Sequence, residues 1–323
     1  MKTIALFSGG LDSSLAVKLM QNQGIDVLAV YMDVGFESGN EKIKKIIRSA
    51  DSLKVELITL DLRQQFIDEI LFFPQYGYGR NFNPCIDCHA FMFRQALKLL
   101  EEKEASFIIT GEVIGERPMS QNWNSIIKVD KLSGNTELIL RPLSAKLLPE
   151  TIPEKMKWVD RNMLLDISGR SRKRQLELAQ EYGIEHYSAP AGGCLLTDVG
   201  FSKKLRDLTK KKKLKLEHIP ILKVGRHFSL PDGAKLIVAR DEAECLVLDN
   251  YSGDDYIKIM PLVINGPTAL LSANISNSDQ ALGFRIIITY TKDKQGELQV
   301  VDGPSVMAMA FDNKEEVRQY AIN

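Results

Sequence analysis

The feature that most constrains this chain is a break at residue 8. An apolar run over residues 4–7 has the pattern of a buried strand. It stops at Ser8-Gly9-Gly10-Leu11-Asp12-Ser13-Ser14, after which Leu15, Val17, Leu19 and Met20 recur at helical spacing. A strand that turns through glycines into a helix N-terminus makes an anion site, because free backbone N–H groups and the positive end of the helix dipole meet there. Gly9 and Gly10 let the backbone approach a phosphate, and Ser8, Ser13 and Ser14 bring hydroxyl donors. The Asp12 carboxylate suits a Mg²⁺ ion beside the phosphates. No Gly-Lys-Ser or Gly-Lys-Thr follows, so this is not a Walker loop. A plain glycine turn leaves the agreement of seven positions in a strand–turn–helix context unexplained.

The alternation continues. Residues 27–32 read as a second strand, 41–53 as a helix, 54–60 as a third strand, 63–71 as a helix and 107–110 as a fourth strand. Such alternation predicts an α/β fold, a doubly wound parallel sheet covered on both faces. Its ligands lie at the carboxyl ends of the strands. The glycine turn, the strand end at Met32 and the turn Thr110-Gly111-Glu112 all fall at that edge. Residues 125–131 and 137–140 flank Leu132-Ser133-Gly134-Asn135 and read as a hairpin, and 153–161 as a short helix. A further helix opens at residues 169–174, where Arg170, Arg172, Lys173 and Arg174 oppose the helix dipole. That placement suits an anionic partner such as RNA phosphate, or a solvated face with carboxylates nearby.

Residues 73–84 form a loop closed by Asn83-Pro84, and Cys85-Ile86-Asp87-Cys88-His89 follows at the start of an amphipathic helix. A helix N-terminus lowers a thiol pKa and favours the thiolate. Ala189-Pro190-Ala191-Gly192-Gly193 then delivers Cys194 on a turn without crowding side chains. Four readings of Cys85, Cys88 and Cys194 stand side by side. They are a Cys-x-x-Cys-His haem attachment string, structural zinc completed by His89 or Cys245, a nucleophile Cys88 with a persulfide carrier Cys194, and a 4Fe–4S cluster on three thiolates with one iron open to hydrosulfide.

At 323 residues the chain has room for two domains. Its net charge is zero, so a nucleic-acid partner must be argued from local patches. No stretch reads as a signal peptide or a membrane span, which predicts a cytoplasmic protein with no membrane partner. Between residues 203 and 215 eight basic residues stand against the single acid Asp207. The expected organisation is a catalytic domain over 1–200, a basic linker over 201–215 and a smaller α+β domain over 216–323. The linker is either solvated or a phosphate contact. Strands are expected at 221–224, 235–239, 256–260, 284–291 and 298–301, and helices at 241–250 and 314–321.

Ser8-Gly9-Gly10-x-Asp12-Ser13-Ser14 directly after an N-terminal strand resembles the PP-loop of the ATP pyrophosphatases, which adenylate a substrate oxygen and release pyrophosphate. The resemblance implies ATP at Ser8, Gly9, Gly10, Asp12, Ser13 and Ser14, adenine read by backbone near Met32, and Gly111 lining the site. With Asn83-Pro84-Cys85-x-x-Cys88 and Gly193-Cys194, residues 1–200 resemble the tRNA thiolation enzymes. In the 2-thiouridine synthases Asn-Pro-Asp-x-x-Cys stands at this place, with a second cysteine far downstream. Here Cys85 replaces the aspartate, and the three-cysteine pattern is closer to the iron–sulfur-dependent tRNA sulfurtransferases.

That resemblance implies an enzyme that adenylates a pyrimidine carbonyl oxygen of tRNA and replaces it with sulfur. Asp12, Cys88 and Cys194 would serve the chemistry, and Cys85, Cys88 and Cys194 would hold a 4Fe–4S cluster, with zinc as the alternative. Its partners would be tRNA and a sulfur donor, either hydrosulfide or a persulfide carrier. The rival readings are a PP-loop ligase or amidating enzyme and a non-catalytic, nucleotide-regulated RNA-binding protein. Gly225-Arg226-His227 and Asp232-Gly233 resemble small RNA-binding domains of ribosome-associated quality-control proteins. The C-terminal third does not resemble the β-barrel of the 2-thiouridine synthases.

Overall fold

The computed structural model describes residues 1–37, 41–188 and 194–322. The chain divides after Thr197 into two compact units.

The first unit opens with β1 (Lys2–Leu6), α1 (Leu11–Gln21), β2 (Asp26–Asp33), α2 (Lys42–Leu53) and β3 (Glu56–Asp61). Next come α3 (Arg63–Phe66), prolonged by a π-helical turn over Ile67–Leu71, α4 (Cys85–Glu102) and β4 (Phe107–Thr110). It closes with α5 (Trp123–Ser133), β5 (Ile139–Leu140), α6 (Ile152–Lys155) and α7 (Lys173–Glu181). The five strands form a parallel sheet in the order β3-β2-β1-β4-β5. Its central strands are apolar on both sides, as a doubly covered sheet requires. Ala5, Ala29, Tyr31 and Ile109 pack with Leu15, Ile46 and Leu178 from α1, α2 and α7. Ile4, Leu28 and Ile108 are buried too. By the alternation of a strand they point to the opposite face, where α4 lies against β1 and β4. A run of rings, Phe36, Phe66 and Phe91, joins β2's exit, α3 and α4 at centroid spacings of 5.9 and 6.0 Å.

The strand order reverses between β1 and β4, and this is where open α/β sheets bind ligands. The glycine turn follows β1 and Gly111 follows β4 at that point. A Cβ on Gly111 would stand 2.4 Å from the Ser13 nitrogen and 2.5 Å from the Asp12 carbonyl carbon. Only a residue without a side chain lets the end of β4 press against the first turn of α1. Gly9 is held on the other side at φ +67°, where its Cβ would meet Ile46 Cα at 2.9 Å.

Two expectations give way in this unit. Residues 125–131 belong to α5 and not to a hairpin. Asn122 accepts the Ser125 N–H to start the helix, Ile126 and Val129 are buried at helical spacing, and Gly134 at φ 93° ends it. β5 then pairs in parallel with β4. The helix expected over 153–161 is the single turn α6, followed by a 3₁₀ turn at Arg161–Met163. The turn Ala189-Pro190-Ala191-Gly192-Gly193 lies outside the described residues.

The second unit begins with α8 (Val199–Lys211), so the expected linker at 201–215 is largely helix inside this unit. Asp198 accepts the Phe201 N–H at its start, and Phe201, Leu205 and Leu208 are buried on one side. The lysines find local partners, Lys211 on Asp207 and both Lys212 and Lys215 on Asp255. Then follow α9 (His218–Lys223), β6 (Arg226–Ser229), β7 (Lys235–Val238), α10 (Glu242–Asp249) and β8 (Tyr256–Pro261). β9 (Ala269–Ser272), α11 (Asn277–Thr289), β10 (Gln295–Val300), β11 (Ser305–Met309) and α12 (Glu315–Arg318) complete it. The strands make an antiparallel sheet in the order β11-β10-β8-β9-β7-β6. The strand expected at 221–224 is the end of α9, and the strand expected at 284–291 lies mostly in α11. Ser276 caps α11, and its Phe284, Ile286, Ile287 and Ile288 are all buried. Within residues 284–291 only Arg285 is exposed, so no helical period shows there, and the β-branched run imitates a strand.

Replacing Gly111 with alanine is expected to lower stability by about 1–3 kcal/mol, the cost of forcing extra volume into a packed contact. Urea unfolding of the G111A variant measures it, and an unchanged midpoint would contradict the close approach.

Candidate active site

The first half of the candidate site is built on the first turn of α1. Its N-cap, Gly10, supplies no side-chain hydrogen bond, so the leading N–H groups stay available to a ligand. Ser8 is exposed, and its hydroxyl lies 3.3 Å from that of Ser13. Ser13 donates to the Gly10 carbonyl at 2.9 Å. Ser14 is turned into the core, donating to Gly10 at 2.9 Å and meeting Ser49 at 3.2 Å, so its hydroxyl holds the turn together. Met32 is a core side chain at the carboxyl end of β2.

Burial pushes the Asp12 carboxyl up from its ordinary value, against the pull of Arg172, which stands 3.9 Å away, and of Arg117. Burial and the charge of Asp12 push Glu116 up as well. Asp12 Oδ1, Arg172 Nε, both amide atoms of the fully buried Gln175 and the Ser188 hydroxyl are buried without a hydrogen-bond partner. Each such atom costs about 1–3 kcal/mol until something completes it. Ser188 donates its backbone N–H to the Gly9 carbonyl at 2.8 Å, which places this group beside the turn.

The sulfur-bearing half forms where three segments meet. Cys85 and Cys88 occupy the first turn of α4, three residues apart and so on one side of it. Asn83 donates its amide to Cys85 Sγ at 3.2 Å. Cys194 pairs with Glu37 in an isolated antiparallel bridge, and Leu195 donates to the Phe36 carbonyl at 2.7 Å. Phe82 donates to the Leu196 carbonyl at 3.2 Å, which ties the loop before α4 to the segment after Cys194. Glu37 accepts from Tyr31 and pairs with Lys42.

The three cysteines are brought together, and their charges repel one another. Burial, then Cys194 and Cys85, push the Cys88 thiol well above its ordinary value. Burial pushes Cys194 up to about 12. The expectation that the helix N-terminus favours thiolate is therefore overturned for Cys88, since desolvation and like charge outweigh the dipole. Among the described residues, the group of three ligand-type side chains with all donor atoms within 4.8 Å of one another is Glu217, His218 and Asp255, so the three thiols are spread more widely. Cys245 belongs to the second unit, where it accepts the Thr268 N–H.

The two halves are linked twice. His89, next to Cys88, lies with Nδ1 2.6 Å from Glu112 Oε1, and Glu112 is next to Gly111 against the turn. Arg141 donates to Glu112 at 2.9 Å and to Asp130 at 2.7 Å. Burial alone would push Glu112 up, but Arg141 and His89 outweigh it and hold the carboxyl at about 2. The second link is the chain itself, because Ser188 sits on Gly9 and Cys194 follows six residues later. Six residues span at most about 20 Å.

The fold and this edge define a PP-loop domain. Residues 1–145 match the family model of the tRNA methyl transferase HUP domain, and residues 225–317 match that of the NFACT protein RNA binding domain. Among curated relatives, the chain is 36% identical over 107 residues to tRNA-specific 2-thiouridylase MnmA 1 of Fusobacterium nucleatum, covering 32% of this chain and 28% of that protein. It is 22% identical over 228 residues to tRNA-specific 2-thiouridylase MnmA 1 of a Thermoanaerobacter species, covering 65% and 59%. The chain thus spans between 28% and 59% of the length of these relatives. A crystal structure of a 4-thiouridine synthetase–RNA complex with bound ATP aligns at TM-score 0.42 and 20% identity, over 69% of this chain and 52% of that one. The first unit is thus similar over residues 1–145 to the HUP domain family and to tRNA-specific 2-thiouridylases, and the second is similar over residues 225–317 to the NFACT RNA-binding domain family.

Sequence reading passed over Gln175, Glu116, Arg117, Glu37 and the Glu112–His89–Arg141–Asp130 network. Arg172 was legible only as one cation in a basic run, and Glu112 only as the residue after Gly111.

Two outcomes follow for this edge. In metal-free protein at pH 7.5, Cys88 and Cys194 should alkylate at least about tenfold more slowly than free cysteine, since a raised pKa leaves less thiolate. Site-resolved mass spectrometry reads this, and equal rates would refute the buried, mutually repelling arrangement. Glu112 titrates lower in the folded state than unfolded. Its stabilising contribution is therefore full above about pH 4.5 and is lost as pH falls toward about 2. Glu112→Gln should flatten the fall in melting temperature across that window.

Proposed function

We propose that this protein is an ATP-dependent tRNA sulfurtransferase acting in the cytoplasm. ATP would lie across the first turn of α1, its phosphates on the N–H groups after Gly10 and on the Ser8 and Ser13 hydroxyls. Mg²⁺ would sit beside Asp12, and Arg172 and Arg117 would balance charge on the departing pyrophosphate. The carbonyl oxygen of an unstacked pyrimidine would attack the α-phosphorus, releasing pyrophosphate and leaving an O-adenylated base. Sulfur would then displace AMP at that carbon. The observation that carries this reading is the meeting of Cys85, Cys88 and Cys194 within one short chain segment of the glycine turn. A ligase or amidating enzyme has no use for three converging thiols, and tRNA as substrate is supported by the 2-thiouridylase relatives and the RNA-binding family match.

The donor set also supports a cluster over zinc. A closed tetrahedral zinc site holds its sulfurs about 3.8 Å apart, whereas these three are more widely spread. A 4Fe–4S cluster held by Cys85, Cys88 and Cys194 would supply an iron open to hydrosulfide. Asn83 would keep Cys85 oriented through its amide.

Single Cys→Ser changes at 85, 88 and 194 test the reading. Each should abolish thionucleoside formation in tRNA by nucleoside mass spectrometry, with ATP binding retained. Full activity in all three would sink the sulfur chemistry. Protein purified without oxygen should carry about four iron and four sulfide per chain; zinc without iron would replace the cluster and leave the thiols' role standing.

A further inference from the structure

The second unit holds a cavity of about 310 Å³ that the activity above does not use. Lys204, Arg226, Arg240 and Arg318 line it, and among the described residues no carboxylate side chain does. Glu244 and Glu315 pair with Arg240 at 3.5 Å and Arg318 at 2.6 Å. Lys204 donates to the Gly225 carbonyl at 3.2 Å and Arg226 to the Ala239 carbonyl at 3.3 Å, neither of them an ionic partner. Burial, then Arg240, pulls the Lys204 amine down to about 8, against Glu244 and Asp198. The cations are thus held together at a cost that a bound anion would remove. The Arg226 guanidinium lies over the Tyr290 ring at 4.7 Å, with Lys314 over the same ring at 5.5 Å. A guanidinium held flat in this way offers a face for a base. His227 also lines the cavity, and burial pushes its pKa well down and keeps it neutral. Its Nε2 lies 2.8 Å from the Val224 carbonyl.

We propose that this cavity takes one phosphate-bearing ribonucleotide of the RNA substrate, with its phosphate among Lys204, Arg226, Arg240 and Arg318. It rests on RNA being the substrate, as proposed above. The volume is at the lower end of small-ligand sites, room for one nucleotide and no more. A cation ring of this kind positions a chain without reading its sequence. Holding one nucleotide here anchors the RNA while another is presented for chemistry.

The test uses the full chain, with Arg240→Gln and Arg318→Gln combined, because both side chains are about half exposed or more and their loss leaves the core intact. tRNA binding is measured by fluorescence anisotropy between 50 and 200 mM salt, and inorganic phosphate is the second probe, read by thermal shift. The double variant should bind tRNA about tenfold more weakly, with the slope of log affinity on log salt reduced by about 1–2. The Arg→Lys pair should keep most of the affinity. Phosphate should raise the melting temperature of the parent and not of the double glutamine variant. Unchanged tRNA affinity and slope would overturn the proposal. So would loss of the phosphate effect with tRNA binding intact, which would assign the cavity to a free phosphate compound. Binding is read without turnover, so a protein that binds tRNA here and never thiolates it would refute the activity and leave this site standing.

Discussion

Glu112 is a carboxylate kept charged in the interior of the first unit, and the arrangement of both halves of the site depends on it. Without Arg141 and His89, burial would neutralise it; with them it is held at about 2. Breaking a buried pair of this kind costs about 3–5 kcal/mol, because the remaining charge is left uncompensated. Glu112 sits one residue after the glycine that presses on α1, and His89 sits one residue after Cys88. A single ionic contact therefore fixes the distance between the glycine turn and the first turn of α4. Arg141 also lies over the Phe93 ring at 5.6 Å, so the network is packed as well as paired.

Much of the first unit was legible because its signals are local. A strand that runs into Ser8-Gly9-Gly10 and then into Leu15 and Leu19 has one reading in period and turn chemistry, and the structure follows it. The strands at 27–32 and 107–110 were legible for the same reason, since buried parallel strands are short apolar runs. The failures came where burial hides the period. α11 carries Ile286, Ile287 and Ile288, every one inaccessible, so the run looks like a strand. The lysines of 203–215 read as a solvated linker or a phosphate contact because one of their partners, Asp255, is brought to them only by the fold.

The candidate site divides along the same line. The glycines and cysteines were legible because few residue types do their work. The direction of the thiol pKa values was not, because a helix N-terminus is a local fact and desolvation is a property of the whole pocket. Gln175 carried no sequence signal at all. A buried amide with both ends unpartnered becomes visible only when its neighbours are placed.

The two halves are incomplete in opposite senses. Around α1 the free N–H groups, Arg172 and the unpartnered atoms near Asp12 form a site that an anion with a divalent cation would complete. Around α4 burial, and then the neighbouring thiols, push Cys88 and Cys194 up, so a cation or an electrophile would complete that site. Neither set of groups relieves the other within the folded chain, because Glu112, His89 and Gly111 hold them apart as well as in register. The replacement of an aspartate by Cys85 fits this logic, since a carboxylate there would add charge to the pocket without adding a sulfur ligand.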